Sequence, residues 1–152
     1  MTIRDAEDSA GAAESSYPAK AVADAMFAND AASRSLGIEI VDVGYGTATL
    51  TMTVRPDMVN GLDVCHGGFI FTLADSAMAF SSNSFNTYAI ATHAEVDWVN
   101  PGRLGAVLTA AATQRYQRGR NAITDAVITD DAGEVVAHFR GRTRQVKGQH
   151  LG

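Results

Sequence analysis

Residues 68–84 read GFIFTLADSAMAFSSNS, a run in which Asp75 is the one ionisable side chain. Phe69, Ile70, Phe71, Leu73, Ala74, Ala77, Met78, Ala79 and Phe80 leave almost no polar face, and a helix apolar all round belongs in the middle of a protein. The pattern therefore predicts a central buried helix. No cation sits three or four residues from Asp75, since Phe71, Thr72, Met78 and Ala79 hold those places. A carboxylate in such surroundings is costly unless paired or put to use. Either a distant segment, the backbone or the hydroxyls of Thr72 and Ser76 satisfy Asp75, or it faces a cavity and does chemistry.

Outward from this helix the chain reads as strands. On the upstream side Ala48, Leu50, Met52 and Val54 alternate with Thr47, Thr49, Thr51 and Thr53, the period of a half-buried strand. Gly44-Tyr45-Gly46 separates it from 38–43, so the two predict a hairpin. Residues 18–33 have roughly helical spacing, with Pro18 suited to a first turn and Gly37 past the end. Residues 55–65 carry turn chemistry in Pro56, Asn60 and Gly61 and no periodicity; a loop of this length inside a small domain is often functional. Downstream, 90–98, 104–112, 122–128 and 135–144 alternate in turn, broken at Pro101-Gly102, Gly119 and 130–133. Short turns predict an antiparallel meander. One buried helix with long antiparallel strands resolves as an α+β arrangement in which the sheet wraps the helix, the hotdog architecture.

With 152 residues, 46% of them hydrophobic, the chain suits a single domain. Its expected organisation is a flexible tail over 1–16, a domain over 17–147 and a short C-terminal tail over 148–152. The acidic, small-residue start lacks the apolar run of a signal peptide and the basic character of a transit peptide. No apolar stretch is long enough for a membrane span, so the expectation is a soluble, cytoplasmic protein without a membrane partner. A net charge of −5 and the lack of a basic run argue against nucleic acid. Cys65 is the only cysteine, which excludes an intrachain disulfide and a thiolate metal cluster. His66, His93, His138 and His150 have no ligand spacing, so no metal is expected.

The chemistry concentrates at Asn60-Gly61-Leu62-Asp63-Val64-Cys65-His66-Gly67-Gly68. Gly67 and Gly68 open the central helix, where unpaired N–H groups and the helix dipole favour negative charge, and their lack of side chains lets a carbonyl approach the backbone. An oxyanion of acyl transfer would be stabilised there by roughly 3 kcal/mol per donor. Asp75 lies eight residues on, about 12 Å along the axis, too far for both to touch one carbonyl from the same chain. A site using both requires two copies, with Gly67 of one facing Asp75 of the other.

The pattern of Asn60, five residues, His66-Gly67-Gly68 and then Leu73-Ala74-Asp75-Ser76-Ala77-Met78-Ala79-Phe80 resembles the phenylacetic acid degradation (PaaI-type) thioesterases of the hotdog superfamily. The resemblance runs over about 36–146 and includes Asp97-Trp98-Val99-Asn100-Pro101-Gly102 and Phe139-Arg140-Gly141-Arg142-Thr143. It implies hydrolysis of a small acyl-CoA, an aryl-acetyl or hydroxylated aryl-acetyl thioester, with no cofactor. It further implies that Asp75 is general base or nucleophile, the Gly67 N–H is the oxyanion donor, and Asn60 orients the thioester or water. His66 braces the loop or touches the ligand. Gly68 and Thr92 are implied at the substrate, Thr92 holding the water. Arg118, Gly119 and Arg120 are either an exposed charged turn or a contact for the CoA phosphates. The implied assembly is a homodimer, stacked as a dimer of dimers.

Rival readings are a hotdog enoyl-CoA hydratase or dehydratase, and a non-enzymatic acyl-CoA-binding protein. The first lacks a His-Phe-Pro start to the helix and the acid and histidine pair; the second lacks a partner or DNA-binding module. A Cys65/His66 nucleophile is disfavoured because adjacent residues in an extended loop point apart. Arg140, Arg142 and Arg144 share a strand face and read equally as solvated charges.

Overall fold

The computed structural model describes residues 15–152. The tail expected over 1–16 lies outside this range except for Ser15 and Ser16. Two helices, α1 (Ala19–Ala28) and α2 (Ala31–Ser35), precede the hairpin β1 (Glu39–Gly44) and β2 (Thr47–Thr53); the central helix α3 (Gly67–Asn83) and strands β3 (Ala89–Trp98), β4 (Val107–Arg118), β5 (Asn121–Thr129) and β6 (Val135–Gln145) follow. The single helix expected over 18–33 is two helices. Asp30 breaks it: its carboxylate accepts the Ser33 N–H, so the chain restarts with a capped turn instead of continuing.

The six strands form one antiparallel sheet in the order β1-β2-β4-β5-β6-β3, wrapped against α3 as a hotdog fold. The expected meander holds for β4, β5 and β6. β3 departs from it: instead of pairing with β4 across Pro101-Gly102, it crosses to the far edge and pairs with β6. Local pattern defines a strand but not its neighbour, and the 99–106 connection is long enough to reach round. As an edge strand, β3 is hydrogen-bonded on one side only, and its residues are half-buried or exposed.

Leu73, Ala74 and Ala77 of α3 are fully buried, packed in one cluster with Leu50, Met52, Leu108, Ile128 and Val136. Each large side chain so buried contributes roughly 1.5–3 kcal/mol. Enclosure is not complete, however. Gly68, Thr72, Asp75 and Ala79 fall on one stripe of α3 at helical spacing, and none of the four is buried. The helix read as apolar all round therefore keeps one open face, and Asp75 is on it.

Two further features position surface residues. A bulge between Gln114 and Tyr116 reverses the alternation of β4, turning Tyr116 and Arg118 to the outer face opposite Ile123 and Asn121. Gly119, at φ +57°, closes the β4–β5 turn in a conformation that suits glycine. At the far end of α3, residues 148–152 fold back. Asn86 Oδ1 accepts the N–H groups of His150 and Leu151, and His150 Nε2 meets Asn83 Oδ1 at 2.8 Å.

Candidate active site

The N-terminus of α3 is held between two segments. On one side, His66 N–H donates to Met58 O and Asn60 N–H to Val64 O; on the other, Cys65 N–H donates to Gly102 O at 2.7 Å. Asn60 Oδ1 accepts the Leu62 N–H at 2.9 Å, an Asx turn that shapes the loop and leaves the Asn60 amide group free to donate. His66 caps the helix with its ring: Nδ1 accepts the Gly68 N–H at 3.0 Å, which places the hydrogen of the neutral imidazole on Nε2. Gly67, as the first helical residue, has no intrahelical acceptor for its N–H. Among the described residues, no loop or capping hydrogen bond takes it either. Of the two glycine amides at this helix end, Gly68 is spent on the cap and Gly67 is free.

An apolar cleft of about 600 Å³ opens here, lined by Val64, Cys65, His66, Gly67, Gly68, Ile70, Phe71 and the segment 98–102. Trp98 Nε1 donates to Gly67 O at 3.3 Å, with the indole packed against the glycine. Burial pushes the Cys65 thiol up, so it stays protonated, and Sγ is turned to the His66 carbonyl.

Asp75 and Asn60 are not in the lining of this cleft. Burial pushes the Asp75 carboxyl above its ordinary range. Among the described residues it makes no ion pair and no side-chain hydrogen bond. The two nearby hydroxyls are committed elsewhere. Thr72 Oγ1 donates to Gly68 O at 2.9 Å. Ser33 Oγ gives its one hydrogen to Asp30 Oδ2 at 2.6 Å, so Ser76 must be the donor in its 3.0 Å contact with Ser33. Asp75 is thus a half-buried acceptor with no donor of its own.

Thr92 and Arg118 meet away from the first cleft, in a second of about 450 Å³ that also holds Tyr116, Asn121, Ile123 and Arg142. Thr92 sits at a bulge of β3 and its hydroxyl donates to Arg142 O at 3.3 Å. Gly119 and Arg120 are exposed at the adjoining turn. The structure thus gathers His66, Gly67 and Gly68 at one cleft and Thr92 and Arg118 at another, and leaves Asp75 and Asn60 outside both. Neither Trp98 nor Tyr116 is among the residues expected at the site. For Trp98 a signal is present: two large apolar residues, Trp98 and Val99, stand shortly before Pro101-Gly102, where a strand face runs out. Tyr116 has none, because the bulge that exposes it leaves no pattern. The dispersed histidines stay apart, and among the described residues no three His, Cys, Asp or Glu side chains converge on a metal position. No helix of the described residues is long and apolar enough to cross a membrane.

The chain is a member of the thioesterase superfamily, whose family model matches residues 62–137. It is 40% identical over 130 residues to the acyl-coenzyme A thioesterase PaaI of Escherichia coli K12, covering 86% of this chain and 93% of that protein. The solved structure of the E. coli PaaI protein from the phenylacetic acid degradation operon superposes with a TM-score of 0.85, at 40% identity, over 86% of this chain and 95% of that one. The TT0310 protein of Thermus thermophilus matches at 31% identity and a TM-score of 0.72, over 75% of this chain and 96% of its own.

Proposed function

We propose that this protein hydrolyses a small acyl-CoA, with phenylacetyl or hydroxyphenylacetyl as the acyl group, at a site shared by two copies of the chain. The observation that carries the reading is Asp75, a half-buried carboxylate with raised proton affinity and no donor among the described residues. Such a group is costly to keep unless it reacts. The aryl group fits the apolar lining of Ile70, Phe71, Trp98 and Val99, and the E. coli relative carries an acyl-coenzyme A thioesterase name.

The thioester carbonyl oxygen points at the free Gly67 N–H, which strengthens as a donor when negative charge develops on it. Asp75 of the other copy either takes a proton from water as its oxygen attacks the carbonyl carbon, or attacks directly and forms an anhydride that water then opens. In both routes the C–S bond breaks and the thiol leaves with a proton, giving a carboxylic acid and free CoA. Asn60 orients thioester or water through its free amide group, and His66 holds the helix end. Gly68 lets the substrate lie close to the backbone. Thr92, Arg118, Gly119 and Arg120 bind substrate and the CoA phosphates.

The two-copy requirement follows from the roughly 12 Å between Gly67 and Asp75 along α3. The open side of β3 supports a seam there, as the strand has backbone groups to offer. Pairs then stack as a dimer of dimers. The test is free-thiol release from phenylacetyl-, benzoyl- and medium-chain acyl-CoA by the parent and by Asp75→Asn. Turnover should fall by about a thousandfold in the variant, with CoA binding and folding retained. An Asp75→Asn protein as active as the parent ends the proposal.

A further inference from the structure

Trp98 is the chain's single tryptophan. We propose that it is a positioning residue: its indole clamps Gly67 so that the one free amide of the helix end stays aimed at the substrate carbonyl. This rests on the assignment of that amide as the oxyanion donor and adds the side chain that holds it.

Gly67 has no side chain by which to be held, and glycine is the residue with most backbone freedom. Two neighbours remove that freedom. His66 Nδ1 takes the Gly68 N–H at 3.0 Å, and Trp98 Nε1–H donates to the Gly67 carbonyl at 3.3 Å. The indole also lies directly on the glycine. A Cβ added to Gly67 would stand 2.9 Å from both Trp98 Cε2 and Nε1. Glycine is thus demanded at this position by the tryptophan as well as by the approach of a ligand.

The clamp is itself anchored. Trp98 is the last residue of β3, opposite Ala137 of β6. Immediately after it, the N–H groups of Val99 and Asn100 both donate to Val136 O, and Asn100 Nδ2 donates to Val135 O at 2.8 Å. The indole therefore links Gly67 to the sheet rather than to its own loop. At 55% exposure, Trp98 still offers surface to the cleft. A displacement near 1 Å is enough to lose much of a preorganised donor's effect.

The experiment compares Trp98→Phe with the parent on phenylacetyl-CoA. Phenylalanine keeps an aromatic wall and removes the indole N–H. The expected result is a kcat lowered about 5- to 10-fold, with KM within about twofold and unchanged thermal unfolding. Parental kcat, or a loss confined to KM, overturns the proposal. Asp75→Asn in the same assay separates the two levels: if it is fully active, the site assignment itself fails. If it is inactive while Trp98→Phe is unimpaired, only the clamp fails.

A second measurement does not depend on turnover. Gly67→Ala should lower the unfolding temperature strongly in the parent and much less in a Trp98→Ala background, because the added methyl then has room. Equal losses in the two backgrounds overturn the contact. In the Asp75→Asn protein, the emission of the sole tryptophan should change on adding phenylacetyl-CoA and not on adding free CoA. No change with the thioester removes it from this position.

Discussion

His66 Nδ1 accepts the backbone N–H of Gly68 at 3.0 Å, so a ring capable of acid–base chemistry is engaged in ending a helix. Replacing it with alanine should cost about 1 kcal/mol of stability, the usual worth of an N-cap, and should lower kcat because the Gly68 amide is released. Asn, a good capping residue, should restore stability. Thermal unfolding of His66→Ala and His66→Asn checks this; an alanine variant as stable as the parent contradicts the capping role.

Asp75 makes a prediction with a definite sign. Because burial raises its folded-state proton affinity above that of the unfolded chain, the native state binds more protons between the two pKa values. Stability due to this group therefore falls as pH rises through that window. The ionised carboxylate is a cost above the window and none below it. Asp75→Asn should be at least as stable as the parent at neutral pH, with the difference vanishing in acid. Earlier unfolding of the variant at neutral pH would show that a stabilising partner had been lost.

In the proposed reaction the same shift governs turnover. As the base or nucleophile of the proposed reaction, Asp75 must be ionised, so kcat should rise with pH along a limb whose midpoint is raised above that of an exposed Asp. A pH–rate profile flat from the usual Asp pKa upward contradicts that role.

Gly141 of β6 lies beneath the central helix. A Cβ there would run into Met78 Sδ and stand 3.0 Å from Phe139 Cε1. Gly141→Ala should lose about 1–3 kcal/mol by overpacking, measured by denaturant unfolding. An unchanged midpoint would mean that Met78 swings aside freely.

Asn86 holds the end of the chain through both atoms of its amide, accepting from His150 and Leu151 and donating to Leu151 O. It also sits at φ +61°, where Asn is favoured over Ala. Asn86→Ala should cost about 1–2 kcal/mol and expose residues 148–152 to carboxypeptidase. Unaltered resistance would show that other contacts hold this segment.

Much of the architecture is legible in the sequence because it is written in local periodicity. The Thr-alternating run of β2 and the apolar run of α3 each identify their element without reference to anything distant. What is not legible involves pairs far apart in sequence. Nothing within 90–98 says that the strand lies beside β6, and nothing near Gly67 says that a residue 31 positions later packs on it. The broken first helix is a different case: Asp30 and Ser33 carry the capping signal, but the helical spacing running through them masks it. Gly67 and Asp75 can be singled out as candidates because amide-rich helix starts and lone half-buried acids are costly by themselves. Trp98 has no such cost, and only its neighbours give it a role.

Tyr17 Oη donates to the carbonyl of Gly152, so the described chain returns nearly to its own beginning. Joining Gly152 to Tyr17 through a few glycines, with residues 1–16 left off, and reopening the backbone at the exposed Asp131-Ala132 turn would preserve every strand pairing while reordering them along the gene. A circular permutant of this kind would carry β6 first and β5 last, yet wrap the same sheet around the same helix.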